Sequence, residues 1–82
     1  MDTSNLNDAQ RRGLDILADV AEKPVDEIER DHEMVADLGV DSPRALQFLL
    51  DLEEELDLEI ADEDAADMDT VGDVLDYLGR LD

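Results

Sequence analysis

Leu6, Ala9, Leu14, Leu17, Ala18 and Ala21 recur roughly three or four positions apart, the spacing that lays an apolar stripe along one side of an α-helix. A first amphipathic helix is therefore predicted from about residue 5 to residue 21. Pro24 lies just beyond it, where a residue without a backbone N–H cannot continue the ladder. From Glu22 to Asp41 no regular period holds. Val25, Ile28, Met34, Val35 and Leu38 punctuate this long connection, and such spaced apolar anchors predict a loop packed on the core rather than a solvated linker.

Ser42 followed by Pro43 reads as a helix cap and a proline at the first helical position, where its missing N–H does least harm. The second helix is predicted from there to about Leu56. At 100° per residue, Ala45, Phe48, Leu49, Leu52 and Leu56 share one side, the face that a bundle buries. Leu46 and Leu50 stand one turn apart on the neighbouring side with Pro43, Gln47 and Glu54, and Glu53 lies near the border. Two readings of this second stripe stay open. Either the leucines widen the buried face, or they hold a basic partner that the adjacent acids steer in. After Asp57-Leu58-Glu59-Ile60, Asp62 is placed to cap a short helical turn through Asp67, and Thr70 to cap a last helix carrying Val71, Val74, Leu75, Leu78 and Leu81. The chain shows no internal repeat and no alternating strand pattern. An all-α domain of four helices, one of them short, is expected over residues 1–82.

Composition narrows what such a bundle does. Eighty-two residues allow one modest core, and 43% hydrophobic residues at helical spacing argue against the disorder that high net charge otherwise signals. With 26 acidic and 6 basic residues the formal charge is −20. That field opposes nucleic acids and anionic lipid and suits basic proteins. No run approaches the roughly 20 apolar residues of a membrane span, and Met1-Asp2-Thr3-Ser4 lacks a basic, apolar leader, so a cytoplasmic protein without stable membrane insertion is expected. Cysteine is absent, which removes disulfides, thiolate metal sites and a nucleophilic thiol. His32 beside Glu33 reads as a loop residue rather than a zinc ligand. The acids from Asp57 to Asp67 lack the central glycine and terminal glutamate of a calcium loop. Neither a Ser/His/Asp arrangement nor a glycine-rich loop before a helix supports a self-contained enzyme.

The distinctive segment is Asp37-Leu38-Gly39-Val40-Asp41-Ser42-Pro43, a serine between an acidic tether and a helix-starting proline. Unpaired N–H groups and the positive end of the helix dipole favour an attached phosphate there. Ser42 reads as an attachment point.

From Asp37 to Leu78 the chain resembles the acyl carrier proteins. The frame Asp-Leu-Gly-x-Asp-Ser, then Leu52-Glu53-Glu54-Glu55-Leu56-Asp57-Leu58-Glu59-Ile60, Asp62-Glu63-Asp64 and Thr70-Val71 keeps that family's order and spacing. The resemblance implies a small four-helix carrier bundle with three main helices, one short helix and a long first loop. It implies that a phosphopantetheinyl transferase, using coenzyme A and magnesium, modifies Ser42 with 4′-phosphopantetheine. Asp41 then either helps hold that magnesium or is a plain helix-start acid. The arm would supply the thiol that this chain lacks, and the protein would carry acyl groups without catalysing their chemistry. Expected partners are basic-surfaced acyl-processing enzymes docking on Pro43, Arg44, Leu46, Gln47, Leu50, Glu53 and Glu54 of a monomer. In the family, the positions matching Phe48, Leu52, Ile60, Ala65, Met68, Val74 and Tyr77 line an acyl cavity; the same residues also make an ordinary core.

Three positions depart from the family's habit: Pro43 stands for its usual leucine, Arg44 for a common acid and Gln47 for a common glutamate. They indicate a specialised carrier. The start at Met1 favours a discrete carrier over a segment of a larger synthase. The alternative, from another class, is an acidic protein-interaction module that keeps the fold and never carries an arm. Fatty-acid, polyketide, nonribosomal-peptide and lipid-modification pathways all stay open.

Overall fold

Asn7 and Gln10 start the first helix by a reciprocal exchange. The Gln10 N–H donates to Asn7 Oδ1 at 2.7 Å and the Asn7 N–H to Gln10 Oε1 at 2.8 Å, so two end groups of the backbone are satisfied at once. The computed structural model, which describes residues 3–81, accordingly begins α1 at Asp8 and runs it to Ala21 (Asp8–Ala21), three residues later than the apolar period predicts. Leu6 stays outside the helix but still packs on the core. Glu22 ends α1 by turning left-handed, with φ 59°, and Pro24 follows.

A single 3₁₀ turn (Val25–Glu27) opens the long connection, and α2 (Ser42–Leu56), α3 (Asp62–Ala66) and α4 (Val71–Gly79) complete the order. The cap of α2 is Asp41, not Ser42. Asp41 Oδ1 accepts the Arg44 N–H at 3.2 Å, which moves Ser42 and Pro43 to the first two helical positions. Both residue types cap well, but the carboxylate also places negative charge at the positive end of the dipole. Ala61, without a side-chain bond, occupies the cap position of α3, and Asp62 is its first helical residue. Thr70 caps α4 as expected, in a box with Asp73. That helix stops at Gly79, so Leu81 lies beyond it and is exposed.

The long connection is fastened to the start of α4. The Met34 N–H donates to the Asp69 carbonyl at 2.9 Å, the Val71 N–H to the His32 carbonyl at 3.0 Å and the Gly72 N–H to the Arg30 carbonyl at 2.8 Å, around an isolated antiparallel bridge between Glu33 and Thr70. Ile28, Met34, Leu38 and Val40 are buried by this attachment. Val35, expected as an anchor, is instead 66% exposed.

One cluster unites these residues with Leu14 and Leu17 of α1, Phe48 and Leu52 of α2, and Val71, Val74, Leu75 and Leu78 of α4. The axis of the packing is α1, which lies against both α2 and α4. Gly13 permits that approach: a Cβ there would collide with Leu78 Cδ1 and sit 3.3 Å from Leu52 Cδ2. Among the described residues no helix is long and apolar enough to cross a membrane.

Candidate functional site

Backbone bonds on both sides of Gly39 deliver the serine. Before it, Asp37 and Leu38 both donate to the Glu33 carbonyl, while Asp37 Oδ2 accepts the Glu33 N–H at 2.7 Å. Gly39 itself, at φ 66°, takes a left-handed conformation that side chains rarely tolerate. After it, the Val40 N–H donates to the Met34 carbonyl at 2.8 Å. Leu38 and Val40 are buried, so the tether is anchored where it meets α2 and leaves Asp41, Ser42 and Pro43 in solvent.

Ser42 is therefore an exposed hydroxyl at the positive end of a 15-residue helix. Unpaired N–H groups are expected at such a helix start. Pro43 has none, and Asp41 takes the one from Arg44. A phosphate at Ser42 is thus favoured by the dipole and by access more than by a ring of backbone donors.

At 100° per residue Ser42 shares a side of α2 with Leu49 and Glu53, while Arg44 lies on the opposite side. On the serine's side a cavity of about 390 Å³ opens between α2, α3 and the long connection. Met34, Val40, Ala45, Phe48, Leu49, Ala65 and Met68 form its apolar wall, with Glu33, Val35, Ala36 and Asp69 completing the lining. Two of the wall residues, Val40 and Ala45, lie two positions before and three after Ser42 in the chain. The volume falls within the range of ordinary small-molecule sites.

Of the seven residues assigned to an acyl cavity, Phe48, Ala65 and Met68 line this space. Leu52 and Val74 do not; they are fully buried in the core cluster. Ile60 packs on that cluster. Tyr77 faces a separate, acidic groove of Asp64, Asp67, Asp73, Asp76 and Arg80, which Met68 also borders. Met34, Val40, Ala45 and Leu49 were not assigned to the cavity from the sequence; the first two carry a signal as apolar residues inside the connection, and the last two as residues on the same side of α2 as Phe48.

The second stripe of α2 resolves clearly. Leu46 is 58% and Leu50 50% exposed, so they do not widen the buried face. Pro43 is exposed beside them, and Gln47 is too, its Nε2 donating to Asp51 Oδ1 at 2.8 Å. Glu53 has internal work, since Oε2 accepts the Ile60 N–H at 2.9 Å and closes the turn into α3. Glu54 borders a groove with Ile16, Asp19, Asp51 and Glu55 between α1 and α2. Arg44, grouped with the docking face in sequence, turns towards α1 instead: Nη1 lies 3.2 Å from the Val20 carbonyl and 3.3 Å from Glu22 Oε2. His32 is a loop residue whose Nδ1 accepts the Glu29 N–H at 3.1 Å.

Burial of the Tyr77 phenol, followed by the nearby Asp64 and Glu53 carboxylates, raises its pKa above the usual 10.0. The folded chain then holds the proton longer than the unfolded one. Its contribution to stability is whole below the unfolded value and is lost as pH rises through the folded value. Tyr77 is the sole tyrosine, so ultraviolet titration reads it alone; the midpoint is expected to fall on denaturation, and equal midpoints would contradict the assignment.

Residues 14–78 match the family model described as the phosphopantetheine attachment site, a span that contains Ser42 and the cavity. Over 64 residues the chain is 44% identical to the acyl carrier protein of Clostridium perfringens, covering 78% of this chain and 84% of the relative. It is 41% identical over 68 residues to that of an Exiguobacterium species, covering 79% and 86%. Among solved structures, an acyl carrier protein from Enterococcus faecalis superposes with TM-score 0.73 at 30% identity, covering 90% of this chain and 94% of its own. A Mycobacterium tuberculosis protein assigned as an acyl carrier protein gives TM-score 0.74 at 29% identity, covering 88% and 93%. The fold and the matched span define a phosphopantetheine-attachment domain. The chain belongs to the acyl carrier protein family, whose members are carriers rather than enzymes and take 4′-phosphopantetheine as their prosthetic group.

Proposed function

We propose that Ser42 bears the 4′-phosphopantetheine arm and that the chain works as a monomeric, cytoplasmic, single-domain carrier of acyl intermediates in fatty-acid, polyketide or related specialised lipid synthesis. The observation that carries this reading is the exposed Ser42 hydroxyl at the first position of an acid-capped helix, beside an apolar cavity. Those residues fit the group: Ser42 is exposed, the dipole favours the phosphodiester, and the cavity offers apolar shelter to an acyl chain. When bound, the group supplies a thiol for thioester linkage, which this cysteine-free chain cannot provide.

Asp41 precedes Ser42 in the chain and holds its carboxylate at the helix start, with Oδ1 on the Arg44 N–H. We assign the carboxylate to magnesium during transfer of the arm from coenzyme A. Leu46 and Leu50, flanked by Pro43, Gln47 and Glu54, form the face for basic-surfaced enzymes, where acids guide approach and leucines supply contact. Pro43 and Gln47 adapt that face to specialised partners.

Intact-mass measurement after incubation with coenzyme A, magnesium and a promiscuous phosphopantetheinyl transferase tests the assignment. Wild-type protein is expected to gain one arm and Ser42→Ala none. An adduct on Ser42→Ala moves the attachment elsewhere. A wild type that no transferase modifies favours an armless, acidic interaction module.

A further inference from the structure

In the first turn of α2, Ser42, Pro43 and Arg44 are all exposed, and Ala45 is the first residue to pack inward. A cation in that turn faces the positive end of its own dipole. Within the first turn of α2 itself there is no acid, unlike those of α1, α3 and α4; the one carboxylate at this helix start is that of the cap, Asp41. The Arg44 charge is used elsewhere. Neither α1 nor α2 has a basic residue in its last turn, yet each receives one from the other helix. Arg44 reaches the Val20 carbonyl and the Glu22 carboxylate at the end of α1. At the opposite end of the pair, Arg12 of α1 reaches the Glu55 carbonyl at 2.7 Å and its carboxylate at 2.9 Å near the end of α2. Two antiparallel helices thus exchange arginines, each covering the partner's unpaired carbonyls and negative dipole end.

We propose that Arg44 is a positioning residue for Ser42: its bond to the end of α1 fixes the exposed turn that presents the hydroxyl to the transferase. Side chains two residues apart on a helix do not face each other, so Arg44 acts through the turn rather than by touching the arm. The inference rests on the assignment of Ser42. Glu22 is the other half of the brace and lies on a different element, which separates positioning from direct contact between the transferase and Arg44.

The test is a charge swap. With each variant held well below its melting temperature, Arg44→Glu and Glu22→Arg are each expected to lower kcat/KM for arm transfer about fivefold, the scale of an exposed ion pair, and the double variant to recover most of the loss. On unmodified protein, amide exchange at Ser42, residue 44 and Ala45 is expected to quicken in both single variants and return in the double one. This readout holds even if no transferase accepts the wild type. Loss with Arg44→Glu alone, unchanged by Glu22→Arg and not rescued by the swap, would overturn the proposal in favour of direct transferase contact. Unchanged exchange in both single variants would overturn it outright.

Discussion

Phe48→Ala is expected to lower the melting temperature by about 15–30 °C. Phe48 is the sole phenylalanine and among the largest fully buried side chains, at 1% exposure. Its truncation removes contacts to the core cluster and enlarges the cavity that its ring already walls. Phe→Ala changes in cores cost about 3–5 kcal/mol. Since stability runs at roughly 0.05–0.15 kcal/mol per residue, a chain of this length has little to spare. Each kilocalorie shifts the midpoint of such a domain by about 4–8 °C. Thermal unfolding followed by circular dichroism measures it, and a fall below about 5 °C would mean that the ring is not holding the bundle together.

Gly13→Val is expected to destabilise by about 3 kcal/mol, by the opposite mechanism. The added Cβ meets Leu78 Cδ1 and approaches Leu52 Cδ2, and both leucines are at 0% exposure, so neither can swing into solvent without opening the core. Overpacking of this kind costs about 1–3 kcal/mol, and two further methyl groups on a stiff β-branched side chain put valine at the upper end. Gly13→Ala is the internal control, because the smaller clash is offset by about 1 kcal/mol of improved helix propensity. Urea unfolding at unchanged m value compares the three proteins. A valine variant as stable as wild type would show that α1 has room to move off α2 and α4.

Period and caps made the four helices legible in the sequence, and the frame around Ser42 made the attachment point legible. Boundaries blurred where two signals competed. Asp41 and Ser42 are both good caps, and a proline fits either of the first two helical positions, so pattern alone does not choose between them. Leu81 continues the apolar period of α4 past Gly79, although the helix does not follow. The connection was harder, for a physical reason: Val35 and Ile28 look alike in a list of apolar anchors, and only the attachment of that loop to α4 buries one and exposes the other. Arg44 shows the same limit. Its position on the outer side of α2 can be read from the sequence, but its engagement with α1 depends on how two distant helices pair. The cavity divides likewise, since Leu52 and Val74 are apolar residues of the right helices that happen to sit behind its wall.

Five residues make α3, and its cap position offers no side-chain bond. A helix so short does not persist in water, because one turn fixes several dihedral angles for a single hydrogen bond. Its order is therefore borrowed from its neighbours: Ala65 and Met68 against the cavity and the Glu53 carboxylate on Ile60. Local opening of this segment needs far less free energy than unfolding of the α1–α2–α4 core, so its amides should exchange with deuterium first. The side of the cavity that α3 closes is then the one most readily remodelled by whatever occupies it, while the opposite wall, made by α2, keeps its shape.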